Sequence, residues 1–206
     1  MRQSIFLSLV QNLILDSKLR FFLQEFHLSE EEQQLVCQLA VEKEYKAHEV
    51  LFQADRVFDY FLFIEEGMIR SYRMIDGNDF TYSFFLPGEI CVDFQSYLQR
   101  IQSNHYFEAL VPTKIFRFEK EKIEALFNEY PRIERIAREM AEKAYIKAVE
   151  RLKEFQTESL ETRYLRLIEN QEELFKAAPL QHIASYLGVK PQSLSRIRAK
   201  IVNKFY

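Results

Sequence analysis

From Tyr45 to Phe118 the apolar residues come in short runs rich in aromatic and β-branched side chains, parted by turn residues. The runs are Val50-Leu51-Phe52, Tyr60 to Ile64, Met68 to Tyr72, Phe80 to Leu86, Tyr106 to Val111 and Lys114 to Phe118. Runs of this length and spacing predict antiparallel strands folded into a sandwich or barrel. Asp76-Gly77 lies between two of them and predicts a hairpin, because a type I′ turn needs the positive φ that glycine adopts freely. On either side of this block the period becomes helical. The first 44 residues read as helices, including the apolar stretch Ser4 to Leu15. Ser29, with Glu32 three places on, has the capping-box form ahead of Leu35, Val36, Leu39 and Ala40.

After Pro131 a helical pattern runs to about Phe155, with Ile133, Ile136, Ala137, Met140, Ala144, Val149, Leu152 and Phe155 wrapping more than one face. Such a helix would be about 37 Å long. An ordinary core helix is one reading. The other is a helix with one face on its own β domain and another on a partner helix, since the stripe is wider than one neighbour can bury. Thr157 and Glu158 suit a helix start, and Glu161 to Leu174 reads as a further amphipathic helix.

The C-terminal pattern is denser in signals. Pro179 can open a helix whose buried face is Ile183, Ala184 and Leu187; Gly188 permits a tight reversal; Val189 fills the turn. Pro191 can then open a second helix with Leu194, Ile197 and Ile201 inward. Small Ala184, five places before Val189, lets the two helices cross closely. This is the helix-turn-helix pattern, whose second helix offers its N-terminal side chains to the major groove. Gln192, Ser193 and Arg196 are the expected base-reading residues, and Lys190, Ser195, Arg198 and Lys200 the expected phosphate contacts. The competing reading is a helical hairpin with a solvated basic face.

Charge favours the first. From Leu174 to Tyr206 there are six basic residues and no acidic one, which leaves 22 basic against 31 acidic residues in the rest. A basic segment on an acidic body suits a polyanion-binding module. Hydrophobic content of 48% excludes a disordered chain. No stretch approaches the roughly 20 apolar residues of a membrane span. The two cysteines, Cys37 and Cys91, form neither a disulfide framework nor a C-x-x-C pair, which fits a cytoplasmic protein. Neither phosphate-cradling glycine motif is present, and the four histidines show no metal-ligand spacing, so no metal site is expected. Asp93, Ser103 and His105 lie close in sequence, but nothing assembles a catalytic set, and no enzyme is expected.

In this order, Asp59-Tyr60-Phe61-Leu62-Phe63-Ile64-Glu65-Glu66-Gly67, Phe85-Leu86-Pro87-Gly88-Glu89, the long helix after Pro131, and Ile183-Ala184-Ser185-Tyr186-Leu187-Gly188-Val189 with Leu194-Ser195-Arg196 resemble the cyclic AMP receptor/fumarate-nitrate regulator (Crp/Fnr) family across nearly the whole chain. The resemblance implies an α+β protein. N-terminal helices and an antiparallel, cyclic-nucleotide-binding-like β-roll span residues 1–130, a dimerisation helix 131–156, and a helix-turn-helix domain without a full wing 157–206. It also implies a homodimer on a two-fold operator in double-stranded DNA, RNA polymerase as a further partner, and a small-molecule effector, unidentified, as the only candidate ligand. The dimer contacts expected are Ile133, Ile136, Ala137, Met140, Ala144 and Leu152.

Departures from the family pattern fall at the sensor. Where cyclic-nucleotide binders hold the ribose with Gly-Glu and the phosphate with Arg-Ser, this chain has Val92-Asp93 and Ser103-Asn104, and the hydroxyl residues of the dimerisation helix are replaced by Lys147 and Ala148. Serine in place of arginine removes the bidentate counter-charge, so cyclic AMP is not the expected signal, and Asp93, Ser103 and Asn104 stand as the candidate pocket. Pro191-Gln192 replaces the frequent Arg-Glu at the recognition helix, so a different operator is expected. An iron-sulfur sensor of the fumarate-nitrate type needs four cysteines. The alternative function is a ligand-binding regulatory subunit that does not bind DNA.

Overall fold

The computed structural model describes residues 17–205, with side chains as far as Ile201; the helix expected over Ser4 to Leu15 lies outside them. Two short helices, α1 (Lys18–Glu25) and α2 (Glu30–Leu39), lead into the β-roll. The capping box is formed: Ser29 Oγ accepts from the Glu32 amide and the Glu32 carboxylate accepts from the Ser29 amide. Glu65, buried on the roll, accepts from the amides of Lys18 and Leu19 at 2.7 and 3.1 Å, pinning the start of α1 where the helix dipole favours an anion.

Eight strands follow: β1 (Val41–Tyr45), β2 (Val50–Phe52), β3 (Tyr60–Glu66), β4 (Ile69–Ile75), β5 (Asn78–Phe85), β6 (Ile90–Cys91), β7 (Tyr106–Ala109) and β8 (Thr113–Glu119), with helix α3 (Phe94–Gln99) between β6 and β7. They make two four-stranded antiparallel sheets, ordered β1-β8-β3-β6 and β2-β7-β4-β5. Asp76 and Gly77 both take positive φ at the β4–β5 turn, as the dipeptide requires. Strand β1 corrects the expectation that helix persists to residue 44. Val-Glu-Lys-Glu-Tyr carries no apolar run, and its strand state comes from pairing with β8, Val41 opposite Arg117 and Tyr45 opposite Thr113.

Alternation along β3 builds two cores at once. Leu62 and Ile64 point between the sheets with Phe52, Phe58, Ile69, Phe107 and Ile115. Phe63 points outward with Phe116 and Phe118, under α1, α2 and α4 (Lys120–Glu129). Helix α5 (Pro131–Thr157) then leaves the roll, Pro131 occupying its first turn. The stretch read as one helix from Glu161 to Leu174 is two, α6 (Leu160–Asn170) and α7 (Glu172–Ala177), because Gln171 leaves helical geometry at φ −143°, ψ 54°. Helices α8 (Leu180–Tyr186) and α9 (Pro191–Phe205) close the chain. Their core is not separate from the roll: Ile183, Ala184, Leu187 and Leu194 share one apolar cluster with Met68, Phe84 and Leu110.

Candidate nucleic-acid interface and sensor site

Helices α8 and α9 meet at a corner made by Gly188, at φ +72°. Ala184 and Leu194 are fully buried where the helices cross, and the Val189 amide donates to the Ala184 carbonyl at 3.0 Å. With Leu194 inward, helical periodicity turns Gln192, Ser195 and Arg196 outward, and all three are exposed, as is Lys190 in the turn. Arg196 has no charged or hydrogen-bonding partner among the described residues, so its guanidinium is unspent. Ser193 is half-buried, its amide bonded to the Lys190 carbonyl, which places it at the edge of this face. Arg198 is exposed and stands close enough to Tyr164 for its charge to oppose the rise that burial gives the phenol pKa.

Lys200 differs from the expectation. Its Nζ lies 2.6 Å from a Glu161 carboxylate oxygen on α6, so the ammonium is engaged within the protein. On the same helix α6, Arg166 pairs with Glu154 and Glu158, tying α6 to the end of α5.

The helix expected to dimerise divides its apolar residues between two tasks, which corrects part of the expected contact set. Ile133 is 6% exposed inside the core beneath α1 and α2, and Ile136 packs on that core, so both are used within the chain. Ala137 and Met140 are half-buried. Farther along, Ala144, Tyr145, Ile146, Ala148, Leu152 and Phe155 are exposed. Among them Tyr145, Ala148, Leu152 and Phe155 continue from Ala141 at alternating steps of four and three, the a/d spacing of a coiled-coil seam.

In the roll, Asp93 caps α3 and accepts from the Ser96 amide at 3.2 Å. Ser103 donates to the same carboxylate at 2.6 Å, and His105 Nδ1 lies 3.2 Å from it. Arg73 Nε donates to His105 Nε2 at 3.0 Å. Arginine can only donate, so Nε2 accepts and the ring proton sits on Nδ1, facing Asp93. Burial alone would raise the Asp93 carboxyl, but the hydrogen bonds from His105, Ser103 and the Ser96 amide outweigh it and hold the pKa at about 2. The candidate pocket thus brings Asp93 and Ser103 together, while Asn104 is exposed and outside the network. The Ser103 hydroxyl is committed to Asp93 and His105 Nε2 to Arg73, so no hydroxyl–imidazole relay forms.

Sequence reading missed Arg73 and the role of His105. It also missed Arg70, fully buried on β4 between Asp79 at 2.7 Å and Glu108 at 2.8 Å. The available signal for Arg70 was a charged residue in the middle of the predicted run Met68 to Tyr72, whereas Arg73 falls just beyond the end of that run. Tyr82, Arg151, His182 and Ser185, which join the roll to the helix-turn-helix, had no signal of their own.

Residues 42–130 match the cyclic nucleotide-binding domain family. Among solved structures, FixK2 from Bradyrhizobium japonicum superposes with a TM-score of 0.67 at 19% identity, covering 80% of this chain and 85% of that one. The c-di-GMP responsive global regulator CLP of Xanthomonas campestris gives 0.67 at 11% identity, with 85% and 93% covered. A protein described as a transcriptional regulator of the Crp/Fnr family, from Eubacterium rectale, gives 0.65 at 16%, with 86% and 85% covered. No curated protein sequence matches. The chain therefore carries a cyclic nucleotide-binding domain within the Crp/Fnr fold. Among the described residues no helix is long and apolar enough to cross a membrane.

Proposed function

We propose that this chain is a sequence-specific, DNA-binding transcription regulator that acts as a homodimer on a two-fold operator. The observation that carries the reading is the outward row Gln192, Ser195 and Arg196 on α9, with Arg196 unpaired among the described residues beside a tight helix-turn-helix corner. Gln192 suits adenine and Arg196 guanine, while Lys190, Ser195 and Arg198 flank them toward phosphate. The description of the Eubacterium rectale relative as a transcriptional regulator supports the same reading. Residues 131–156 form the dimerisation segment, with the seam on Ala141, Tyr145, Ala148, Leu152 and Phe155. Paired through it, two copies of α9 would sit about 34 Å apart, one turn of B-DNA.

The β-roll with its flanking helices acts as the sensory unit, and its signal is not cyclic AMP. A cyclic phosphate placed at residue 103 would meet the ionised carboxylate of Asp93 rather than a guanidinium, and like charges at that range repel. Selection of bound duplexes from a random library tests the proposal. The wild-type protein should enrich a palindrome, and Arg196→Ala should lose preference at one position per half-site, at a cost of about 1–3 kcal/mol. Failure to enrich any sequence would favour a ligand-binding subunit without DNA; an unchanged profile for the variant would remove Arg196 from the reading row.

A further inference from the structure

Strand β5 is an edge of its sheet, so its outer backbone groups have no strand partner. Its pairing with β4 slips at one point, Ser71 opposite Ser83 but Tyr72 opposite Thr81, which makes Tyr82 a bulge. The two backbone groups flanking this bulge are met from outside the roll. The Thr81 amide donates to Ser185 Oγ of α8 at 2.9 Å. The Tyr82 carbonyl accepts from Arg151 Nη1 of α5 at 2.9 Å. The same guanidinium donates from Nη2 to the Tyr186 carbonyl at 3.4 Å and lies 3.9 Å above the Tyr186 ring. One side chain of the long helix thus holds the sensor and the first helix of the reading module together. On its other side the Tyr82 ring stands 4.9 Å from the His105 ring, whose two nitrogens face Asp93 and Arg73.

We propose that Arg151, the Tyr82 bulge and Ser185 form a clasp that couples the Asp93–His105 cluster of the roll to the orientation of the helix-turn-helix. The physical basis is that a bulge is a local break in the ladder, so its peptide plane can turn without unpairing the rest of β5. Displacing His105 removes the ring that supports Tyr82. Turning that peptide then withdraws a carbonyl from Arg151, and a fork that has lost one of its two carbonyls no longer fixes Tyr186. Arg151 is a positioning residue: it touches no base or phosphate in this scheme, and it acts through α8 on α9. The inference rests on reading the roll as the sensor and α9 as the reading helix, but its test uses no DNA, so the two can fail separately.

The test is amide hydrogen exchange on the full chain for wild type, Asp93→Asn, Arg151→Gln and the double variant. Asp93→Asn should speed exchange across Leu180–Tyr186 about tenfold or more, although no atom of Asp93 approaches that helix. Arg151→Gln should do the same by itself, and the double variant should add nothing to it, because the link is already cut. Equal increments from Asp93→Asn in both backgrounds, or none at Leu180–Tyr186, would overturn the clasp. Should Asp93→Asn loosen the roll itself, seen as lost protection at Ile64 and Ile115, the gentler Ser103→Ala takes its place under the same criterion.

Discussion

Replacing Gly188 by alanine should destabilise the protein by two separable amounts. The residue sits at φ +72°, and the left-handed conformation costs an L side chain about 1–2 kcal/mol. A β-carbon there would also come within 2.5 Å of the Phe155 ring. That ring ends a half-exposed side chain, so it swings aside rather than forcing the backbone apart. What it gives up is its place against the turn and beneath the Arg163 guanidinium, 4.3 Å from the ring centre. Contacts of that kind are worth about 0.5–1 kcal/mol at exposed sites, so the total should be about 1.5–3 kcal/mol. Gly77 supplies the control: its φ is +78°, yet an added β-carbon meets nothing within 4 Å, so Gly77→Ala should show the conformational cost alone. Urea unfolding of both variants measures the difference, and repeating it in a Phe155→Ala background should abolish it. If Gly188→Ala costs no more than Gly77→Ala, or if the excess survives removal of the ring, then α5 is not braced against the reading corner.

Glu161→Gln should free Lys200 for phosphate and steepen the salt dependence of non-specific duplex binding by about 0.9 in log–log slope, read by fluorescence anisotropy; an unchanged slope would mean that Lys200 does not reach the backbone. Leu152→Lys should shift sedimentation toward monomer while leaving the urea midpoint of the monomer unchanged, whereas Ile133→Ala should cost about 2–5 kcal/mol of stability as a core cavity; the reverse pattern would relocate the seam. Acid should destabilise in two windows. Burial, aided by the charge of Arg70 and by His48 against the opposing pull of Asp79, lowers the His182 pKa to about 4, so the unfolded chain takes up its proton first and stability falls as the pH drops from about 6.5 to 4. Asp93, held at about 2, then loses its contribution as the pH falls from the ordinary carboxylate range through 2. Urea midpoints against pH should show both phases, with His182→Gln erasing only the first.

Local chemistry in the sequence reached far into this protein. A strand run such as Tyr60 to Ile64 declares itself because alternate residues must serve two faces, and Asp76-Gly77 declares its turn because few residues tolerate positive φ. The α8–α9 corner was legible for the same reason: Pro191, Gly188, small Ala184 and the inward triplet of Leu194, Ile197 and Ile201 each satisfy a constraint within a few residues of chain. The exposed Arg196 follows from that periodicity alone.

What only the tertiary structure decided were the partners of polar and edge groups. Strand β1 is a strand because β8 lies beside it. Lys200 looked available until Glu161 from another helix neutralised it, and Ile133 looked like a dimer contact until α1 and α2 covered it. The clasp at Tyr82 depends on a one-residue slip against β4, on Ser185 about a hundred residues later, and on an arginine from a third element. Periodicity fixes which way a side chain points from its own helix or strand. Whether it meets water, a carboxylate or another chain depends on which elements pack together, and that is settled by the burial of all of them at once.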